Sequence, residues 1–302
     1  MALRLPATMR VFERGWLSSN NVLFTGPHSA LVDSGYVTHA AQTLALVDHA
    51  LEGRPLARLL NTHLHSDHCG GNAALQARYR CHTLIPAAEA DKVRAWDEDA
   101  LSFRSTGQQC PRFAFDGALA AGDTIELGGL PWQALAAPGP DPHALLLYCA
   151  AEGILISGDA LWENGFGVLF PELAGEPGLR EQAATLELID SLHARVVIPG
   201  HGAIFGDAAQ ALARARSRLD YLAQDPRRTA QNAVKVMLQF LLLERRQVAL
   251  AAVPQLLASI PLVERARLQY LGMEHAELAD WAVRALVRAG AARADGGVLL
   301  LA

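Results

Sequence analysis

The sequence predicts an α/β fold built in layers, followed by a helical tail. Three observations carry this expectation. The apolar run Ala30–Val32, a helix-period stretch over residues 38–53 and a second apolar run ending at Leu60 follow one another in strand–helix–strand order. Further runs at 124–127, 132–136, 144–148 and 154–156 are brief, apolar and bounded by turn residues, as in a sheet sandwich. From residue 207 onward helical spacing dominates.

The chain has 302 residues, enough for one large domain or a domain with an appendage. Hydrophobic residues make up 51% and charged residues 19%, which excludes a disordered chain. A net charge of −5 gives no electrostatic reason to expect nucleic acid as a partner. Cys69, Cys81, Cys110 and Cys149 form no CxxC pair, so reduced thiols in a cytosol are expected. The first fifteen residues carry Pro6 and four charges, unlike a signal peptide. The most apolar windows are broken by Glu152 and by Glu244-Arg245-Arg246, short of the about 20 residues a membrane helix needs. A cytoplasmic protein without a membrane partner is expected.

In chain order, Val22-Leu23-Phe24 is a strand before a Gly-Pro turn. Ala30-Leu31-Val32 is the next, ending at Asp33-Ser34-Gly35. Ala40, Ala41, Leu44, Ala45, Val47 and Leu51 recur at helix spacing, with Gly53 as the stop. Leu56–Leu60 is a buried strand, and it leads into Asn61-Thr62-His63-Leu64-His65-Ser66-Asp67-His68-Cys69-Gly70-Gly71. A helix from Asn72 to Tyr79 follows.

That eleven-residue stretch holds three imidazoles and a carboxylate within six positions. In extended chain, side chains two apart point the same way, so His63 and His65 face one point. Asp67 and His68 face a second point where the chain turns toward the helix. A lone histidine is usually a surface or satisfied core residue, but three crowded on a loop are a poor way to build a core. Nitrogen and carboxylate groups at this density suit zinc or a similar divalent ion, with iron and manganese as alternatives. Cys69 reads either as a small residue at a helix start or as a further ligand.

The pattern His-x-His-x-Asp-His resembles the signature of the metallo-β-lactamase-fold hydrolases. The resemblance covers roughly residues 10–224 and implies an αββα sandwich. It implies that Asp33 braces loops beside the site without binding metal; an ordinary turn aspartate is the other reading. It assigns Asp159, in Ser157-Gly158-Asp159, to bridging two ions, and His201, in Pro199-Gly200-His201-Gly202, to the last ligand position. One or two ions are implied.

One motif departs from the family. Where a ligand histidine should follow Pro-Gly, the chain reads Ala137-Pro138-Gly139-Pro140-Asp141-Pro142-His143. Three outcomes are open: His143 swings in, Asp141 or water fills the place, or the protein works with one metal at Asp67, His68, Asp159 and His201 or is impaired as a catalyst. His143 also matches a supportive histidine of the longer family pattern.

Residues 88–117 carry charge and aromatics without a clean period, and the family's equivalent region helps choose substrates. Arg104 and Arg112 are either anion holders or solvated surface arginines. The loop after Asp159 offers Trp162 and Phe166 as an apolar wall and Glu163 and Asn164 as substrate-orienting groups, or else simply packs on the core.

The ligands imply the chemistry. A divalent ion with an open position lowers the pKa of bound water to about 7, making hydroxide the candidate nucleophile. Asp67 is both ligand and proton acceptor. No Gly-x-Ser-x-Gly elbow favours a serine nucleophile. The leading expectation is a metal-dependent hydrolase of a small ester, thioester or lactone, as in glyoxalase II-like members. The alternatives are a phosphodiesterase or ribonuclease, and a metal-poor binding protein that lost turnover with Pro140.

Residues 1–224 are expected to form the hydrolase domain and 225–302 a small helical, winged-helix-like domain. Helical stretches at 207–223, 228–243, 247–258 and 274–289 precede a hairpin turning at Asp295-Gly296. From Pro226 onward ten Lys/Arg face six Asp/Glu, scattered along the tail, so a structural or dimerising role is expected over nucleic-acid contact.

Overall fold

The apolar runs of the first half pair into one six-stranded sheet whose strands follow chain order. The structure is a computed structural model and describes residues 3–302. Strands β1 (Met9–Phe12), β2 (Asn21–Phe24) and β3 (Ala30–Val32) run antiparallel. Helix α1 (Ala40–Ala50) carries the chain back to β4 (Arg58–Leu60), parallel to β3. The short α2 (Ser66–Cys69) and α3 (Asn72–Tyr79) precede β5 (His82–Pro86), also parallel. Short helices α4 (Ala90–Ala95) and α5 (Phe103–Thr106) lead to β6 (Gly117–Leu119).

The second sheet is an antiparallel meander of β7 (Thr124–Leu127), β8 (Leu130–Ala136), β9 (Leu145–Cys149) and β10 (Ile154–Gly158). Helices α6 (Phe170–Leu173) and α7 (Gly178–Ser191) then cross to β11 (Val196–Pro199), parallel to β10. Helix α8 (Ala208–Ala223) follows, its N-terminus capped by Asp207, which accepts from Gln210 N at 2.9 Å.

Strand periodicity produces the layers. Val22 and Phe24 point between the sheets with Val32 and Leu60, where they meet Trp132, Leu147, Ile156 and Ile198. Leu23, Leu31 and Leu59 point the other way, onto Val47 of α1, Leu51 just after it and Leu75 of α3. Leu146, Leu155 and Val197 likewise face Leu186 and Ile189 of α7 and Leu212 and Ala215 of α8. The order is therefore helix, sheet, sheet, helix, the expected αββα arrangement. Strands buried on both faces read as unbroken apolar runs, which is how they stood in the sequence. Each fully buried leucine or phenylalanine contributes about 1.5–3 kcal/mol.

The tail begins with α9 (Pro226–Arg245), whose start combines Pro226 at the first turn with an Asp225 cap accepting from Arg227 N at 3.0 Å. Strand β12 (Gln247–Ala249), α10 (Val253–Ala258), α11 (Pro261–Ala266) and α12 (His275–Arg288) follow. The terminal hairpin pairs β13 (Ala292–Asp295) with β14 (Val298–Leu301), and β14 also pairs with β12.

Three features differ from the sequence expectation. Residues 247–249 are a strand because Gln247 pairs with Leu300, a partner some fifty residues away. A helical segment over 261–271 was not expected, and α7 was not read at all. The tail packs onto residues that precede it in the chain. Its core includes Leu173, with Val168 and Phe170 packed against it. Among the described residues no helix is long and apolar enough to cross a membrane.

Candidate metal centre

Four strands deliver the site from their C-terminal ends: β3 to Asp33, β4 to the histidine stretch, β10 to Asp159 and β11 to His201. Val32 pairs with Leu60 in parallel register, so Asp33 and Thr62 leave the sheet side by side. The Asp33 carboxylate accepts from Thr62 N and Thr62 Oγ1, both at 2.8 Å, and from His68 Nδ1 at 2.8 Å. Its φ of +60° is the left-handed turn that brings the carboxylate round.

These bonds assign the ring protons. Thr62 Oγ1 spends its proton on Asp33, so at 3.1 Å it accepts from His63 Nδ1 and leaves His63 Nε2 with a free lone pair. His68 donates Nδ1–H to Asp33, which turns its Nε2 inward. His63 Nε2 lies 3.1 Å from His65 Nδ1, so these two do face one point. Asp141 Oδ2 stands 3.5 Å from the far nitrogen of His65, Nε2.

Candidate ligand atoms gather in three groups, each within 4.8 Å: His63–His68–Asp159 and Asp67–His68–His201, which overlap at His68, and a separate one of Glu89, Asp141 and His143. His68 Nε2 is 3.2 Å from Asp159 Oδ1 and 3.9 Å from Asp67 Oδ2. His201 Nε2 is 3.0 Å from Asp67 Oδ2 and 3.7 Å from Asp159 Oδ1. The close approach needs Gly200, because a Cβ there would collide with Asp159 and His68.

The electrostatics call for a cation. Burial opposes charge on His68, but Asp159, Asp33 and Asp67 together outweigh it and push its pKa well up. His63 is pushed well down, by burial and then by His68, His65 and His201. Burial would raise Asp67 and Asp159, yet His68 and His201 hold both below the usual carboxylate range. His68 Nε2 is also buried without a hydrogen-bond partner. A buried imidazole nitrogen aimed between two carboxylates, where a metal would take the place of its proton, fits a divalent ion with nitrogen and oxygen ligands.

The remaining expected residues are placed as follows. His143 turns away from both of the groups that share His68: its Nδ1 is 2.6 Å from Glu89 Oε1 and 3.2 Å from Lys92 Nζ, and its ligand-capable neighbours are Glu89 and Asp141 instead. Glu89 raises its pKa, against burial and Lys92. Arg104 lines the rim of a cavity of about 460 Å³ that also holds His65, Asp141 and His143, but it is tied to Asp99 at 2.8 Å and Glu98 at 3.5 Å. Arg112 is exposed and donates to Arg94 O at 3.4 Å, outside the cavity lining.

Of the four loop residues expected at the site, Trp162 alone reaches the centre, donating Nε1–H to Asp159 Oδ1 at 3.2 Å. Phe166 is fully buried in the core behind it. Glu163 and Asn164 are exposed at the bend and line none of the described cavities. Cys69 is buried, donating to Leu64 O at 3.4 Å, and belongs to none of the groups of candidate ligands.

Sequence reasoning missed the aromatic cover. Trp16 stacks on His201 with centroids 5.4 Å apart and planes 4° apart, and meets Trp162 edge-on at 5.2 Å. From the tail, Val236, Met237 and Phe240 close the same small cavity over Asp67, Asp159 and His201. Phe240 meets Tyr36 edge-on at 5.0 Å, and Tyr36 donates its hydroxyl to Glu244 at 3.0 Å, which fixes α9 over the centre. The available signal was Trp16 in a Gly-Trp turn; nothing local marked Phe240.

The model of the Metallo-beta-lactamase superfamily matches residues 14–201. A hydroxyacylglutathione hydrolase of Dechloromonas aromatica is 32% identical over 171 residues, 57% of this chain and 52% of that protein. A beta-lactamase domain protein from Burkholderia ambifaria shares the fold with a TM-score of 0.60 at 20% identity, across 99% of this chain and 94% of its own. A protein solved in a di-iron-bound form aligns with a TM-score of 0.55 at 25% identity, across 68% of this chain and 98% of its own. The chain spans about half the length of the curated relatives it matches.

Proposed function

Because the chain belongs to the metallo-beta-lactamase superfamily, we propose that it is a metal-dependent hydrolase acting on a small thioester, ester or lactone. One observation carries the reading: three imidazoles and two carboxylates from distant segments converge with His68 Nε2 buried and unpartnered between them. Relatives named hydroxyacylglutathione hydrolase support acyl transfer to water over phosphodiester chemistry. The tail supplies apolar walls to the site.

Asp67, His68, Asp159 and His201 would hold one ion, and His63 and His65 with Asp159 a second. An ion held there would supply a hydroxide from water at neutral pH and charge to offset an oxyanion on an attacked carbonyl. This chain's residues do the rest. Asp33 and Thr62 fix the tautomers of His68 and His63. Trp16 and Trp162 keep bulk water from His201 and Asp159. Asp67, ionised beside His68 and His201, would serve as a ligand and orient the attacking water. Pro140 offers no side-chain donor, so the position at His63 and His65 is the weaker of the two.

Metal content per chain measured alongside a chelator-sensitive hydrolysis screen over thioesters, lactones, β-lactams and RNA tests the reading. Zinc, iron or manganese with chelator-sensitive thioester or lactone turnover is expected. A metal-free protein, or activity confined to RNA, overturns it.

A further inference from the structure

Next to the metal centre lies a second cavity, of about 400 Å³. It shares the side chains of Trp16, Trp162, Val168, Val236 and Phe240 with the small cavity over Asp67 and His201, so the two adjoin. Its floor is one face of α9, where Asn232, Lys235 and Gln239 form a polar row beside the apolar row Val236, Phe240 and Leu243. Lys235 and Arg218 line it, and no aspartate or glutamate does.

Neither cation has a carboxylate partner among the described residues. Arg218 donates one N–H to Phe166 O at 2.6 Å and lies 4.7 Å from the Phe166 ring, which leaves most of its donors unspent. Lys235 is half-buried, and burial followed by Arg218 pushes its pKa down. Gln239 Oε1 is buried without a partner. Two like charges held together against an apolar wall are costly until an anion joins them. The composition sharpens the point. Of 26 basic residues only Lys92 and Lys235 are lysine, and both line cavities beside the metal centre.

The larger cavity, at about 460 Å³, lacks this bias, because Glu89, Asp99, Asp141 and Glu176 offset Lys92, Arg104 and Arg265 in its lining. We propose that the cavity over α9 is a substrate subsite for an apolar arm ending in an anionic group, carboxylate or phosphate, with Lys235 and Arg218 as its counter-charges. The assignment rests on reading the adjacent centre as a hydrolase, and it narrows the substrate to an acyl compound bearing such an arm.

Binding of 4-phenylbutyrate, 4-phenylbutyl phosphate and 4-phenylbutylamine to the purified protein, followed by calorimetry and by quenching of Trp16 and Trp162 fluorescence, tests the subsite. Thioester hydrolysis is measured in parallel. Both anions are expected to bind at least about tenfold more tightly than the amine, and Lys235→Met is expected to remove that preference while Lys235→Arg keeps it. In hydrolysis, Lys235→Met should raise KM for a thioester with a terminal carboxylate and spare its methyl ester. Equal binding of acid and amine, or anion binding indifferent to Lys235→Met, overturns the subsite whether or not hydrolysis is seen. Charge-selective binding lost in Lys235→Met, in a protein without hydrolysis, upholds the subsite and removes the hydrolase reading instead.

Discussion

The Asp33 carboxylate receives His68 Nδ1–H at 2.8 Å while also closing two hydrogen bonds to Thr62. One buried side chain thus joins the end of β3 to the loop after β4 and sets a histidine tautomer at the same time.

Replacing that carboxylate separates the two roles. Asp33→Asn keeps the shape but removes the charge and turns one of the two oxygens shared by His68 and Thr62 into a donor. A loss of about 10–100-fold in metal affinity is expected, with thermal stability lowered as well. Metal titration by competition with a chromogenic chelator is the check; unchanged affinity would show that His68 needs no outer carboxylate.

Asp67→Ala is expected to abolish hydrolysis and leave the far-ultraviolet circular dichroism unchanged. Asp67 reaches His201 at 3.0 Å yet contributes nothing to the apolar core. A fully active variant would place the nucleophile elsewhere.

Pro140→His adds an imidazole next to Asp141, which lies 3.5 Å from His65 Nε2, and we expect a second ion per chain, or a slower loss of metal on dialysis. His143→Ala should leave metal retention as it is, since His143 Nδ1 is 2.6 Å from Glu89 rather than at the centre. Metal released by His143→Ala, with Pro140→His silent, would mean that His143 swings in.

The Glu89–His143 pair gives a pH signature. His143 is raised chiefly by Glu89, aided by Asp141 and opposed by burial and Lys92, so its contribution is full below its ordinary value of 6.5 and is lost as pH climbs through the raised one. Glu89 is lowered: burial raises it, but His143 and Lys92 outweigh that, so its share is present above 4.5 and lost as pH falls through the lowered value. The Tm difference between the natural protein and His143→Gln should therefore be largest between about pH 4.5 and 6.5 and shrink toward pH 9. A difference that stays flat across that range contradicts the pairing.

Much of this molecule is local and so could be read from the chain. Helix α3 runs over Asn72–Tyr79 as its spacing predicts, and the terminal hairpin forms with its turn at Gly296-Gly297, where φ is +54° and +80°, one residue beyond the expected Asp295-Gly296. The strands before Asp33, His63, Asp159 and His201 announce themselves because a strand buried on both faces must be apolar throughout. The expectation that Glu163 and Asn164 orient substrate came only from their nearness to Asp159 in sequence, and the chain bends so that both face solvent.

By itself the sequence determined the layered α/β order, the crowding of imidazoles after β4 and the absence of a ligand at Pro140. These are matters of residue type, period and spacing. Only the tertiary structure decided that His143 answers to Glu89, that Trp16 lies flat on His201, and that α9 roofs the centre with Val236 and Phe240. Those contacts join segments separated by dozens to hundreds of residues, and an apolar helix face does not say in advance which surface it will cover.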